Sequence, residues 1–239
     1  MPCEPSGFAR SVSPLSQDEV APHKELAKGD RQALYFPYPN SFEVCKLVIS
    51  ARDLTKLESP ERKSLQNIDD FLGLVRSLRW RTCADIGCGI GYYTLPIAEQ
   101  WRNSRKIIAV DRSTPALEEL DKRVGNLELT NVQILQTVSD RIPIEDASID
   151  LVNLGNVYHE VKGRLAFLKE IHRILKPGGT LLLIDWDPEE DLGVGPPIGD
   201  RIAKDHVLQN LGFAGFINVK DHFVFVGHYA LTAKRVGRK

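Results

Sequence analysis

The hydrophobic pattern of the chain changes near residue 82. Between residues 59 and 81, apolar residues recur every three or four positions, which is typical of one face of a helix, and Ser59-Pro60 favours a helix start. From residue 82 onward, short apolar runs alternate with helical patterns, which is typical of an α/β fold. The apolar positions of the helix expected after Ser59 are Leu65, Ile68, Leu72, Val75 and Leu78.

The alternating region predicts a doubly wound, mostly parallel α/β sheet of seven strands. The strands are expected at Thr82–Ile86, Lys106–Val110, Val132–Gln136, Ile149–Leu154, Thr180–Ile184, Ile217–Lys220 and Phe223–Ala233. The helices are expected at Tyr93–Gln100, Pro115–Val124, Leu165–Leu175 and Ile202–Leu211. Pro177-Gly178-Gly179 predicts a turn between a helix and the fifth strand. The last two strands are joined by a short link, which requires one antiparallel terminal strand.

Residues 1–58 lack this regularity. Residues 1–30 are rich in proline, serine and charge, which predicts a poorly ordered tail or a strap over the domain. Phe36-Pro37-Tyr38-Pro39 is expected to be extended, and Asn40 is expected to cap a helix that reaches about Leu57. We therefore expect an N-terminal tail and lid segment at 1–58, with lid helices, followed by the main domain at 59–239.

The composition narrows the class of protein. The chain has 239 residues, 26% of them charged, and a formal net charge of −1, so DNA is not expected as a partner. We expect no membrane span, because no apolar run is long enough. We expect a cytoplasmic protein, because the N-terminus lacks a signal-peptide core. The expected oligomeric state is a monomer or a homodimer. The four cysteines form no Cys-x-x-Cys pair and lack histidines at metal spacing, which predicts reduced thiols and no metal site.

A glycine turn is the clearest functional feature of the sequence. Gly87, Gly89 and Gly91 follow the first predicted strand and precede a helix, so a ligand can lie against bare backbone there. The dinucleotide fingerprint requires a glycine at position 92, where this chain has Tyr92. Asp85, just before the turn, would repel a pyrophosphate. The turn therefore favours a cationic or zwitterionic ligand.

An acidic residue also ends the second predicted strand. Asp111 lies at the sheet edge where doubly wound folds bind ligands, and its carboxylate can accept hydrogen bonds from both hydroxyls of a ribose. Capping of the next helix is the alternative. Asp111 is one of four features that carry a family resemblance; the others are the segments at residues 85–91, 142–150 and 174–184. With them the chain resembles the class I S-adenosylmethionine-dependent methyltransferases, most closely those of ubiquinone and menaquinone biosynthesis.

This resemblance implies a Rossmann-like methyltransferase domain that binds S-adenosyl-L-methionine, releases S-adenosyl-L-homocysteine and methylates a small-molecule acceptor. It implies that Asp85 faces the cofactor's ammonium group, directly or through water, and that Asp111 holds the ribose. Many relatives carry an acid for the adenine amino group where this chain has Val138, so backbone groups there and Asp140 are expected to replace it. The implied cofactor-binding residues are Asp85, Gly87, Cys88, Gly89, Gly91, Asp111, Arg112, Val138, Ser139, Asp140 and Asn156.

Candidate catalytic residues follow the fourth and fifth predicted strands. His159 titrates near neutral pH and can act as a base; packing or capping at a helix start is the alternative. Asp185 is a candidate base on the acceptor side, and Tyr158 is a candidate whose alternative is a place in the core. Trp186 can form the floor of an acceptor pocket or simply pack.

Two further segments are candidates for the acceptor side. His228 and Tyr229 are adjacent in the last predicted strand, so at most one of them points into the site. Residues 192–199 are rich in glycine and proline, which predicts an irregular, mobile loop near the acceptor entrance.

Other functions remain open from the residues alone. The fourth strand is not followed by Asn-Pro-Pro-Tyr or Asp-Pro-Pro-Tyr, which argues against a DNA amino methyltransferase but leaves RNA or protein acceptors open. A catalytically silent cofactor-binding regulator or scaffold is a second alternative. The glycine spacing disfavours a nicotinamide oxidoreductase, and arsenite methylation would require several cysteines near the turn.

Overall fold

The sheet is the frame on which the candidate site is built. In this computed structural model, which describes residues 59–138 and 141–237, the strands are β1 (Thr82–Ile86), β2 (Lys106–Asp111), β3 (Val132–Gln136), β4 (Ile149–Gly155), β5 (Leu175–Trp186), β6 (Phe216–Asp221) and β7 (His228–Arg235). They form a seven-stranded sheet with the order β3-β2-β1-β4-β5-β7-β6. All neighbours are parallel except β7, which is antiparallel to β5 and β6. The predicted fold class is confirmed.

Helices cover both faces of the sheet. They are α1 (Pro60–Leu65), α2 (Ile68–Ser77), α3 (Thr94–Gln100), α4 (Thr114–Asn126), α5 (Arg164–Ile174) and α6 (Lys204–Phe213). The first core layer contains Phe71, Ile97 and Leu120, and the second contains Leu168 and Leu211. Because both faces are buried, the central strands are apolar on both sides.

The single helix expected after Ser59 is in fact two helices. The hydroxyl of Ser59 accepts from the Arg62 N–H at 3.2 Å and caps α1. The chain then leaves the helix at Gln66 and Asn67, and the Asn67 side chain caps α2 by accepting from the Asp69 N–H at 2.7 Å. Asparagine is a strong N-cap residue, so a new helix start competes with continuation of the old one.

The predicted turn at Pro177-Gly178-Gly179 is wrong, because β5 begins at Leu175 and runs through it. The pairing with β4 shifts between the Ile149–Leu175 pair and the Leu151–Thr180 pair, so the extra residues form a bulge within the strand. Gly178 has φ +80° there, a conformation that glycine adopts at bulges without steric cost.

The last strand was predicted to begin at Phe223, but β7 begins at His228. The intervening segment is irregular: Phe223 is exposed and Phe225 is buried against the core. The apolar residues of this link therefore resemble a strand in the sequence, although only Phe225 is buried in the core and Val224 packs against it partly buried.

Some predictions fall outside the described residues. These are the N-terminal tail and lid segment at 1–58, and the adenine contacts of Ser139 and Asp140. Among the residues that the structure describes, no helix has the length and apolarity needed to cross a membrane.

Candidate active site

The glycine turn begins where β1 ends and is fastened to β2. The backbone N–H groups of Gly87 and Cys88 both donate to the Val110 carbonyl, at 2.7 and 3.1 Å. Gly87, Gly89 and Gly91 have φ values of +73°, +53° and +94°, a left-handed conformation that costs other residues about 1–2 kcal/mol each. The turn therefore requires glycine for backbone reasons as well as for space.

Two of these glycines also make room for the protein's own side chains. A Cβ atom at Gly87 would lie 2.2 Å from a methyl group of Val157, and one at Gly91 would lie 2.6 Å from Leu120. Gly91 therefore lets α4 pack closely against the turn, and Gly87 lets the segment after β4 approach it. The N–H of Gly89, in contrast, donates to Asp111.

Asp111 connects the turn to the neighbouring strand end. Its Oδ2 accepts from the Gly89 N–H at 2.7 Å and its Oδ1 from the Ser113 N–H at 2.9 Å. These two bonds fix the carboxylate while leaving each oxygen a second lone pair for a ligand. The Thr137 N–H donates to the Asp111 carbonyl at 3.0 Å, which places the exposed Val138 just beyond β3 on the same edge.

Asp85 is almost completely buried, with 2% of its surface exposed. Its oxygens accept from the Thr94 hydroxyl at 2.5 Å and the Asn153 amide at 2.8 Å. Burial raises the pKa of Asp85, and these two hydrogen bonds only partly oppose that rise. The carboxylate thus joins β1, α3 and β4 beneath the turn. Sequence reasoning missed both partners: the parallel pairing of β1 with β4 places Asn153 opposite Asp85, and the turn after β1 brings Thr94 back to it.

Helix α1 is attached to this edge through a pair of amides. Gln66 and Asn156 exchange hydrogen bonds, with Nε2 to Oδ1 at 2.9 Å and Nδ2 to Oε1 at 3.1 Å. The Tyr92 hydroxyl donates to the Gln66 carbonyl at 2.7 Å, and Asn156 has φ +58°. Asn156 follows β4, and its contact with the cofactor stays a prediction; its partner Gln66, which lies in no recognisable motif, was missed.

The remaining predicted cofactor contacts differ in exposure. Cys88 is buried, and burial raises the pKa of its thiol well above the ordinary value, which keeps it neutral. Arg112 is exposed beyond the end of β2, and its carbonyl accepts from the Gln136 amide at 3.1 Å. Cys88 therefore contributes shape to the turn, and Arg112 borders it.

A histidine and an aspartate form a dyad at the ends of β4 and β5. His159 Nδ1 lies 2.7 Å from Asp185 Oδ1, and the His159 N–H donates to Oδ2 at 3.0 Å. The fully buried Asp185 also accepts from the Trp186 N–H at 2.8 Å. Because the carboxylate can only accept, Nδ1 carries the shared proton and Nε2 of neutral His159 is an acceptor.

The electrostatic surroundings of His159 favour its charged form. Burial lowers the pKa of His159, but the hydrogen bond and negative charge of Asp185, helped by Glu160 and Asp200, raise it above 6.5 overall. Glu160 Oε1 lies 3.8 Å from His159 Nε2. The dyad therefore resembles an acid–base pair whose carboxylate orients the imidazole.

Tyr158 lies in the core rather than at the open edge. It is fully buried, and its hydroxyl accepts from the Asn210 amide of α6 at 3.1 Å. The structure therefore favours the alternative interpretation of Tyr158, in which its ring packs under the strand ends.

His228 and Tyr229 are both buried on opposite sides of β7. His228 stacks on Trp186 with ring centroids 4.0 Å apart, and burial lowers its pKa to about 4. A Cβ at Gly195 would lie 2.7 Å from the Trp186 ring, so the loop of residues 187–201 also covers this indole. The Trp186 indole therefore packs between His228 and the loop, as in the alternative interpretation.

Arg201 organises that loop. Its guanidinium donates to the carbonyls of Pro196 at 3.0 Å, Asp187 at 3.2 Å, Glu190 at 2.7 Å and Val194 at 2.8 Å. The irregular conformation was predicted from glycine and proline, but no sequence pattern indicated that one arginine would bind four carbonyls of the loop.

These features suit S-adenosylmethionine as a ligand. The carboxylate of Asp111 has acceptor capacity left for ribose hydroxyls, and Asn153 Oδ1, beside Asp85, is a buried acceptor without a donor among the described residues. A cationic ammonium group supplies such a donor. Asp85 itself has both oxygens engaged within the protein, so its charge acts through the surrounding groups.

Comparison with known proteins agrees with this geometry. Residues 84–183 match a family described as a methyltransferase domain. The solved structure of a SAM-dependent methyltransferase from Aquifex aeolicus is 27% identical, with a TM-score of 0.71, and the match covers 77% of this chain and 98% of that chain.

Curated relatives are similar over a shorter stretch. A demethylmenaquinone methyltransferase from Lactococcus lactis subsp. lactis is 31% identical over 52% of this chain and 46% of its own length. A carboxy-S-adenosyl-L-methionine synthase from Hydrogenovibrio crunogenus is 34% identical over 41% of this chain and 40% of its own length. The matches thus span about half of these relatives or less.

Proposed function

We propose that this chain is a class I S-adenosylmethionine-dependent methyltransferase, as the methyltransferase-domain match and the solved relative support, and that it transfers a methyl group from S-adenosyl-L-methionine to a small molecule. The observation that carries the proposal is the left-handed glycine turn joined to Asp111 by the Gly89 N–H, at 2.7 Å, within the matched methyltransferase domain. A fold of this kind hosts several chemistries, so the proposal depends on these residues and not on the fold alone.

The turn and its neighbours would hold the cofactor. Asp111 would accept from the ribose hydroxyls, the backbone near Gly89 would lie along the ligand, and Val138, with Ser139 and Asp140, would border the adenine. Arg112 would flank the adenine from the end of β2. When bound, the cofactor supplies a methyl group on a positively charged sulfur, and the protein supplies alignment and exclusion of water.

The dyad would remove a proton from the acceptor. His159 Nε2 accepts the proton that leaves the attacking atom, while Asp185 holds Nδ1–H at 2.7 Å and stabilises the imidazolium that forms. This role requires an acceptor whose attacking oxygen or carbon carries an acidic hydrogen. A hydroxylated aromatic ring meets that requirement.

The name of several relatives suggests a first acceptor to test. Because they are called demethylmenaquinone methyltransferases, we propose a quinone-type small molecule in its reduced, hydroxylated form. The carboxy-S-adenosyl-L-methionine synthase among the relatives is a reason to identify the product directly rather than only cofactor consumption.

The test is methyl transfer by the full chain. The protein is incubated with S-adenosylmethionine carrying an isotope-labelled methyl group and with reduced demethylmenaquinone, and the products are analysed by mass spectrometry. We expect labelled menaquinol and S-adenosylhomocysteine, and much less of both with Asp111→Ala at a cofactor concentration near the wild-type Kd. If the chain binds the cofactor but labels neither this acceptor nor any metabolite in a cell extract, it is a silent cofactor-binding protein instead.

A further inference from the structure

The edge of the sheet opposite the glycine turn carries a cavity lined by arginines. The cavity has a volume of about 460 Å³ and is lined by Leu78, Arg79, Trp80, Arg81, Arg105 and Asp150. It lies where β1 and β2 begin, whereas the turn lies where β1 ends. Five residues of strand separate the two places by roughly 15 Å.

The sheet brings two of these arginines side by side. Thr82 pairs with Lys106 at the start of β1 and β2, and the Lys106 N–H donates to the Arg81 carbonyl at 3.0 Å. Arg81 and Arg105 therefore precede adjacent strands. Burial and the positive charge of Arg81 both lower the pKa of Arg105, so the two guanidinium groups repel one another across this cavity.

The Arg105 side chain stacks on two indole rings in the cavity wall. Its guanidinium carbon lies 4.2 Å from the ring centroid of Trp80 and 4.7 Å from that of Trp101. Its Nη1 is buried and has no acceptor among the described residues. A buried N–H donor without an acceptor costs about 1–3 kcal/mol, and an anionic oxygen that entered the cavity wall far enough to accept from it would remove that cost.

The carboxylate in the lining does not neutralise this charge. Asp150 accepts from the backbone N–H groups of Arg81 and Thr82 at 3.0 and 2.9 Å, and from Lys176 Nζ at 2.8 Å. In the described part of the chain, the side chains of Arg79 and Arg81 have no hydrogen-bond or ion-pair partner. The repulsion between Arg81 and Arg105, the Arg105 Nη1 donor without an acceptor and the cavity beside them all favour an anionic ligand.

We propose that this cavity is an anion site that binds the phosphate group of a ligand, separate from the cofactor turn. Arg81 and Arg79 supply exposed guanidinium donors, and Arg105 supplies one that stacks on Trp80 and Trp101. Arginine suits this task because its planar N–H groups match phosphate oxygens in pairs.

The test is calorimetric titration of the full chain with inorganic pyrophosphate at constant ionic strength. We expect saturable binding, and because charge-assisted hydrogen bonds are the strong ones, Arg81→Ala should weaken it roughly 10- to 150-fold. Arg79→Ala should weaken it less. The matched control is Arg76→Ala, an exposed arginine that donates to Gln100 at 3.1 Å outside the cavity, and it should bind like the wild type.

Two further measurements separate this site from others. Saturating S-adenosylhomocysteine should leave the pyrophosphate titration unchanged, and competition would overturn the proposal by placing the anion at the cofactor turn. Sedimentation with phosphatidylglycerol or phosphatidylcholine vesicles distinguishes a lipid headgroup from a soluble phosphate. Binding of neither pyrophosphate nor phosphatidylglycerol, or binding that Arg81→Ala leaves intact, would also overturn it.

Discussion

At the scale of single residues, two carboxylates at the strand ends have opposite tasks. Asp111 is half-buried, and its oxygens can accept further hydrogen bonds beside the turn. Asp185 is fully buried, and its oxygens are engaged by His159 and Trp186. The first is therefore suited to a ligand and the second to orienting an imidazole. Both residues were predicted from their places at strand ends.

We expect Asp111→Ala to weaken S-adenosylhomocysteine binding roughly 10- to 150-fold, because a hydrogen bond to a charged group contributes about 1.5–3 kcal/mol. Isothermal calorimetry measures the affinity. Glu118→Ala, an exposed acid on α4, is the control and should bind normally. An unchanged affinity for Asp111→Ala would remove this carboxylate from the ribose site.

The dyad predicts a pH dependence. A base must be neutral, and the pKa of His159 is raised above 6.5, so kcat/KM should increase as the pH rises through that raised value and then level off. Stability should change in the opposite direction: the protonated His159–Asp185 pair stabilises the fold below the unfolded pKa, and this contribution is lost as pH rises through the folded pKa.

The corresponding variant is His159→Gln, which should lower kcat by roughly 10²- to 10⁴-fold and abolish this limb of the profile. The exposed His206 of α6 provides the control, because His206→Gln should keep both rate and profile. Retention of the limb in His159→Gln would assign the titration to another group.

At the scale of elements, residues 192–199 were predicted to form an irregular, mobile loop, and the irregular conformation is confirmed up to a 3-10 turn at Ile198–Asp200. Its mobility stays a prediction, but four backbone carbonyls converge on Arg201 and Gly195 rests on Trp186. These contacts predict that any motion of the loop displaces it as a rigid unit and does not change its internal conformation.

Two glycines of this loop offer a matched comparison. Gly193 has φ +67° and space for a Cβ, whereas Gly195 has φ +87° and a Cβ there would lie 2.7 Å from the Trp186 ring. Both alanine variants carry backbone strain of about 1–2 kcal/mol, but Gly195→Ala should lose a further 1–3 kcal/mol, roughly, from overpacking. Urea unfolding measures the difference, and equal losses would mean that the loop does not rest on Trp186.

At the scale of the whole molecule, the parallel sheet brings the ends of β1, β2, β4 and β5 to one edge. Residues distant in the sequence meet there, such as Gln66 with Asn156 and Asp85 with Asn153. Cofactor binding at this edge should therefore stabilise the described domain as a whole rather than one loop.

Ligand-dependent melting tests this expectation. At a hundredfold excess over Kd, S-adenosylhomocysteine should add about 2.7 kcal/mol of stability, or roughly 5–10 °C in Tm for a chain of this size. NAD at the same concentration should add nothing, because the glycine spacing does not fit a dinucleotide. Stabilisation by NAD alone would contradict the cofactor assignment.

The sequence by itself determined the order of strands and helices along the chain, the glycine turn and the acidic residues at the strand ends. These features depend on local periodicity and on single residues with strong conformational preferences, which a linear pattern records. It also placed His159 and Asp185 as separate candidates, since each follows an apolar run.

Only the tertiary structure decided which of those residues meet. It paired His159 with Asp185, buried Tyr158, joined Gln66 to Asn156, divided the first predicted helix and extended β5 through Pro177-Gly178-Gly179. The physical reason is that such contacts cross strands and layers, so their free energy depends on sheet register and on packing between distant segments. No local pattern in the chain contains that information.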